Sequence, residues 1–134
     1  MNMPEWLSAS DVKYFHRSLI EEFGGLHGIR DEGALESTLA RPVNLIGYEP
    51  ETPIHELAAS YGFGFVKNHV FNDGNKRISL TVIDVFLMLN GMQLVAEEVE
   101  AVCVIKDVAT GEMDEASLAD WIYDNSNEYD LDAD

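Results

Sequence analysis

The sequence predicts an all-α domain, and three observations carry that expectation. Apolar residues recur at helical spacing from the N-terminal third onward, as in Val12, Phe15, Leu19, Ile20 and Phe23. Two nearly continuous apolar runs, residues 57–66 and 78–89, are longer than ordinary strands and read as buried helices. Capping and stop residues bracket these segments where helices should begin and end. With 134 residues and no repeats, the chain reads as one domain over residues 1–126, followed by an acidic, frayed tail over 127–134.

Taken in order, Ser8 is placed to cap the first helix, with Asp11 completing a capping box and Leu7 stapling against Val12. Gly24-Gly25 ends that helix, and its His16 reads as a surface residue. Asp31 caps a short second helix through Leu35 and Leu39, closed by Arg41-Pro42. Residues 42–51 hold two prolines, a glycine and the apolar group Val43, Leu45, Ile46 and Tyr48. They read as a functional loop or short hairpin, or as a connector packed on the core.

Thr52-Pro53 is a helix start, with Thr as cap and Pro in the first turn. The helix it opens contains Gly62 and Gly64, which would let a neighbour approach closely. Lys67-Asn68 ends it, His69 lies in the following loop, and Phe71 is expected beneath that loop as an anchor. The next helix runs to Asn90-Gly91, with Asp84 marking its exposed strip. A helix over about residues 97–108 and a last one from Asp114, with Leu118, Trp121 and Ile122 inward, complete the outline.

Net charge is −17, from 25 acids against 8 bases, which argues against direct binding of nucleic acid. Residues 97–134 hold 13 acids and one base, Lys106, and read as a solvated face rather than a docking surface for a basic partner. Lys67, Lys76 and Arg77 concentrate positive charge around residues 69–77, as a focused anion site would. The single Cys103 sits in an apolar segment and is expected to be a buried, inert thiol, which suits a reducing, cytoplasmic setting. No run is long enough to span a membrane and no signal pattern opens the chain.

The chemistry concentrates in His69-Val-Phe-Asn-Asp-Gly-Asn-Lys-Arg77. Asp73-Gly74-Asn75 reads as a turn feeding a helix N-terminus, where free N–H groups and the helix dipole favour an anion. Lys76 and Arg77 stand where the dipole disfavours cations, so a phosphate in front of them is the natural complement. His69 could act as general base, Asp73 could hold a divalent cation, and Gly74, Asn75, Lys76 and Arg77 could cradle phosphates. These are the parts of a phosphoryl- or nucleotidyl-transfer site. The alternative is plain: turn formers, caps and solvent-facing charges.

This nine-residue stretch resembles the signature loop of the Fic/Doc family, and specifically the Doc (death-on-curing) toxin branch. Gly24-Gly25-Leu26, Gly28-Ile-Arg-Asp31, residues 35–42 and Ala109-Thr-Gly-Glu112 also look Doc-like. The resemblance implies a compact helical domain with a short flap, residues 42–51, that aligns a target segment beside the site. It implies that His69 deprotonates a target hydroxyl, Asp73 binds Mg²⁺, and Gly74, Asn75, Lys76 and Arg77 hold the phosphates of ATP. In the branch that transfers AMP, Gly follows the motif asparagine and a second Arg follows three residues after the first. Here those positions are Lys76 and Leu80. The departures fit the Doc branch, a protein kinase acting on translation elongation factor Tu and thereby arresting translation. Thr81 stands where the Doc pattern has Asn. No self-inhibitory Ser/Thr-x-x-x-Glu-Gly/Asn string occurs, so inhibition is expected in trans, from a Phd-like antitoxin. The rival readings are an AMP transferase on the same fold and a catalytically silent, antitoxin-binding module.

Overall fold

The computed structural model describes residues 3–130 and is helical throughout apart from one small pair of strands. Six helices follow in order: α1 (Ala9–Phe23), α2 (Glu32–Tyr48), α3 (Ile54–Lys67), α4 (Asn75–Leu89), α5 (Glu98–Thr110) and α6 (Glu115–Asp124). Strand β1 (Met92–Leu94) pairs antiparallel with β2 (Ser126–Glu128), Gln93 opposite Asn127. No helix among the described residues is long and apolar enough to cross a membrane.

Helix α3 is the axis of the molecule, with α2, α4 and α6 packed around it. Leu57, Ala58, Ala59, Tyr61 and Phe65 are fully buried, and of residues 57–66 only Phe63 keeps partial exposure. Its two glycines are contact points. A Cβ on Gly62 would fall within 3 Å of the Ile83 side chain, and one on Gly64 would strike Thr38 and Arg41. Helix α4 therefore seats directly on α3, and the Ser79 hydroxyl donates to the Gly62 carbonyl at 2.7 Å. Burial of each large apolar side chain here contributes about 1.5–3 kcal/mol, which makes α3 and α4 a rigid base for the loop between them.

The capping box at Ser8 and Asp11 and the side-chain cap at Asp31 form as expected, and Asp114, the expected start of the last helix, caps it. Helix α2 corrects the reading of residues 42–51. It runs through Pro42 to Tyr48, so the expected loop or flap is its second half, and only a turn at residues 49–52 remains. Leu35, Thr38, Pro42 and Ile46 form one buried stripe along it. A proline inside a helix costs about 3 kcal/mol, and burial of that stripe outweighs it. Helix α3 starts one residue later than its sequence signals suggest, with Pro53 as cap; the Thr52 hydroxyl bonds back to the Glu49 carbonyl at 2.6 Å.

Three further expectations are corrected. Residues 125–130 do not fray: Val95 N–H donates to Asn125, Tyr129 N–H donates to Gly91, and β2 covers the edge of β1. Residues 131–134 of the predicted tail lie outside the described residues. Cys103 is exposed on α5, because Ala101, Val104, Ile105 and Val108 form that helix's buried face instead. His16 is buried, at 3% exposure, for reasons that belong to the site.

Candidate active site

Residues 68–74 join the C-terminus of α3 to the N-terminus of α4. Phe71 is buried beneath them, as expected, and the ring of His16 from α1 stacks on it. Asn75, the first residue of α4, closes the loop from above. Its side-chain oxygen accepts from the Phe71 N–H and its amide donates to the Phe71 carbonyl, both at 3.0 Å. The Asn75 side chain is thus engaged by the backbone, and what it offers an anion is its main-chain N–H.

Residues 24–31 form the other half of the loop's support. Arg30 and Asp31 N–H groups donate to the Val70 carbonyl, and Asn72 N–H donates to Gly28. Ile29 and Phe71 form an isolated bridge. Two side-chain contacts bear directly on the predicted chemistry. The Arg30 guanidinium donates through Nε to the His69 carbonyl at 2.7 Å, holding a residue whose φ of 46° lies in the left-handed region. The Leu26 N–H donates to Asp73 Oδ2 at 3.1 Å. The glycine-rich stretch before Asp31 is therefore a backbone cradle for the loop, and Gly25 is required there: a Cβ would lie 2.6 Å from Asp73 Oδ2, at a φ of +118°.

Asp73 is exposed, and its second carboxylate oxygen accepts the Gly74 N–H at 2.9 Å. The N–H of Leu26 and then that of Gly74 hold its carboxyl below the usual range, with the charge of Arg77 adding to the effect. It is ionised at neutral pH and keeps lone pairs for a cation. Among the described residues no group of three or more His, Cys, Asp and Glu gathers to make an all-protein metal cage. One carboxylate beside a helix N-terminus that could take phosphates would suit Mg²⁺, which is commonly bound by one or two carboxylates plus substrate phosphates.

Gly74 caps α4 in the left-handed conformation, with no side-chain cap. Since the first helical bond runs from Ile78 N–H to Gly74, the N–H groups of Asn75, Lys76 and Arg77 have no helical partner. These residues and Asp73 line one end of an open groove of about 860 Å³ between α4 and α5. The Arg77 guanidinium lies 4.8 Å over the Phe23 ring, on the same groove. His69 is exposed in the loop and stands outside the groove's lining.

Three contributors escape the sequence reading. His16 donates from Nε2 to the Asp73 carbonyl at 2.8 Å; a carbonyl only accepts, so the proton sits on Nε2. Burial pushes its pKa down, keeping the ring neutral. Arg30 holds the His69 backbone, and the sequence signal that could have found it is its place beside the glycine loop. Asp84 is not on an exposed strip: it is half-buried in the groove wall, with Leu80 and Thr81, and burial pushes its carboxyl up to about 6.

A model of the Fic/DOC family matches residues 6–87, from the start of α1 through nearly all of α4. The chain is 34% identical over 116 residues to protein kinase doc of Escherichia phage P1, covering 87% of this chain and 91% of that protein. It is 35% identical over 100 residues to toxin Doc of Mycolicibacterium smegmatis, covering 72% and 77% respectively.

Proposed function

Because the chain belongs to the Fic/Doc family, we propose that it is a Doc-like toxin that moves the γ-phosphate of ATP onto a hydroxyl of a target protein. The observation that carries this reading is the junction at α4. Asp73, three unpartnered N–H groups and the cations Lys76 and Arg77 face one groove, and exposed His69 lies four residues before Asp73 in the same braced loop.

In this reading His69 accepts the proton of the target hydroxyl, and the hydroxyl oxygen attacks the γ-phosphorus as the bond to the β-phosphate oxygen breaks, leaving ADP. The N–H groups of Asn75, Lys76 and Arg77 and the two cationic side chains stabilise the phosphate charge. Mg²⁺, held by the Asp73 carboxylate, supplies further neutralisation of the phosphates when bound. Lys76 puts a charged side chain at the helix start, which favours the γ-phosphate at the hydroxyl. Translation elongation factor Tu is the proposed target, on the strength of the family resemblance, with arrest of translation as the consequence. A Phd-like antitoxin is the proposed partner, in keeping with a relative named as a toxin.

The test is to incubate the protein with Mg²⁺, bacterial lysate and ATP labelled at the γ- or the α-phosphate, with His69→Ala as control. The expected result is one protein band labelled from γ alone, reduced ~100- to 10,000-fold by the substitution. Labelling from α would establish AMP transfer instead. Growth arrest with no transfer from either label, unchanged in His69→Ala, would make the protein a binding module.

A further inference from the structure

The groove does not end at the phosphate cradle. From Lys76 and Arg77 it continues along α4 past Leu80 and Thr81 to Asp84, facing a wall of Leu94, Ala96, Ala101, Val102 and Ile105. Residues 77, 80, 81 and 84 share one face of α4, since they stand at helical spacing. Arg77 and Asp84 are seven residues apart, a rise of about 10.5 Å along the axis. That rise is comparable to the reach of an extended triphosphate chain.

Asp84 is anomalous in this setting. Among the described residues its carboxylate makes no hydrogen bond and no ion pair, although it is half-buried on a helix otherwise devoted to the core. Burying a carboxylate without a partner is unfavourable, and no contact within the chain offsets it. An ionised carboxylate is an acceptor only, so the missing partner is a donor. The groove thus offers an anion cradle, a half-buried acceptor at mid-length and an opposite wall that is apolar apart from Glu98 and Lys106. A nucleoside triphosphate presents the complementary sequence: phosphates, a vicinal diol and an aromatic base.

We infer that Asp84 is the ribose-binding residue of this groove, accepting hydrogen bonds from the 2′- and 3′-hydroxyls of a nucleotide whose base lies against Leu94, Ala101, Val102 and Ile105. The inference rests on the ATP reading above and extends it from the phosphates to the nucleoside. Thr81, one turn before Asp84 on the same face, adds a hydroxyl between phosphates and ribose.

Binding measured by calorimetry on the intact protein with Mg²⁺ tests this without relying on turnover. Three probes are compared: ATP, 2′,3′-dideoxy-ATP and inorganic tripolyphosphate. Wild type should bind ATP about tenfold more tightly than dideoxy-ATP, the worth of a hydrogen bond to a charged group, and more tightly still than tripolyphosphate, which lacks the base as well. Asp84→Ala should bring ATP down to the dideoxy-ATP level and leave tripolyphosphate unchanged. Equal affinity of wild type for ATP and dideoxy-ATP, or an equal loss of ATP and tripolyphosphate in the variant, would overturn the assignment while leaving phosphoryl transfer intact. Failure of wild type to bind ATP and tripolyphosphate alike would overturn the ATP reading and the Asp84 assignment with it.

Discussion

The imidazole of His16 lies flat against the ring of Phe71, centroids 3.8 Å apart and planes 7° from parallel, while its Nε2 reaches the Asp73 carbonyl at 2.8 Å. One side chain from α1 therefore grips both the buried anchor of the 68–74 loop and the backbone of its candidate metal ligand. His16→Ala should cost about 2–4 kcal/mol of stability through the lost stack and hydrogen bond. His16→Phe separates the two roles. It keeps an aromatic face on Phe71 and should cost only about 1 kcal/mol, yet lose most label transfer. Denaturant midpoints and transfer rates measured side by side check this; full activity in His16→Phe would show that the hydrogen bond does not position Asp73.

Gly25 has no side chain because the Asp73 carboxylate occupies its place. Gly25→Ala puts a methyl group 2.6 Å from Oδ2 at a φ of +118°. Either the carboxylate turns away or the 24–28 loop lifts, and both break the bond from Leu26 N–H. The backbone strain alone is about 1–3 kcal/mol. Expected is a greater requirement for Mg²⁺, seen as transfer activity that recovers in part at higher metal concentration. An unaltered metal dependence would mean that this bond does not prepare Asp73 for a cation.

Arg30 acts on His69, the proposed general base, through its backbone. Its guanidinium donates to the His69 carbonyl at 2.7 Å and to the Asn68 carbonyl at 3.4 Å, where His69 is held left-handed. Arg30→Ala should relax that geometry and lower the transfer rate roughly 10- to 100-fold, with target KM little changed because the substrate-facing side chains are retained. A drop in thermal stability without a change in rate would assign Arg30 to the fold alone.

Much of this was legible in the sequence where the determining physics is local. Ser8 with Asp11, Asp31, and Asp114 announce their helices because a cap bonds an N–H within three residues. The loop with His69, Asp73 and Gly74 was legible for the same reason, as a turn feeding a helix. What was not legible depends on distant partners. Pro42 argues locally for a helix end, yet the buried stripe of Leu35, Thr38 and Ile46 carries the helix through it. His16 looks like any polar residue on a helix until Phe71 and Asp73, more than fifty residues away, fold over it. Strand β2 exists only because Gly91 and β1 present an edge to it.

Asp84 gives the prediction with a worked sign. Burial pushes its carboxyl up to about 6, whereas an unfolded aspartate titrates near 3.9. Below about pH 4 both states are protonated and the group has no effect on stability. Between about pH 4 and 6 the unfolded chain binds fewer protons than the folded one, so stability falls as pH rises, and the full penalty persists above pH 6. The side chain keeps partial contact with solvent, so the penalty is discounted to roughly 1–2 kcal/mol. Asp84→Asn, which cannot ionise, should therefore be more stable than wild type by that amount at pH 8 and by nothing at pH 4. Urea unfolding of both proteins at pH 4, 6 and 8 reads the difference directly, since other groups cancel in the comparison. The same midpoint for the two proteins at pH 8 would show that Asp84 is solvated in the native groove. A stabilised Asp84→Asn that also binds ATP less tightly would explain the residue's presence: the carboxylate lowers the stability of the fold in the absence of nucleotide and strengthens its grip on one.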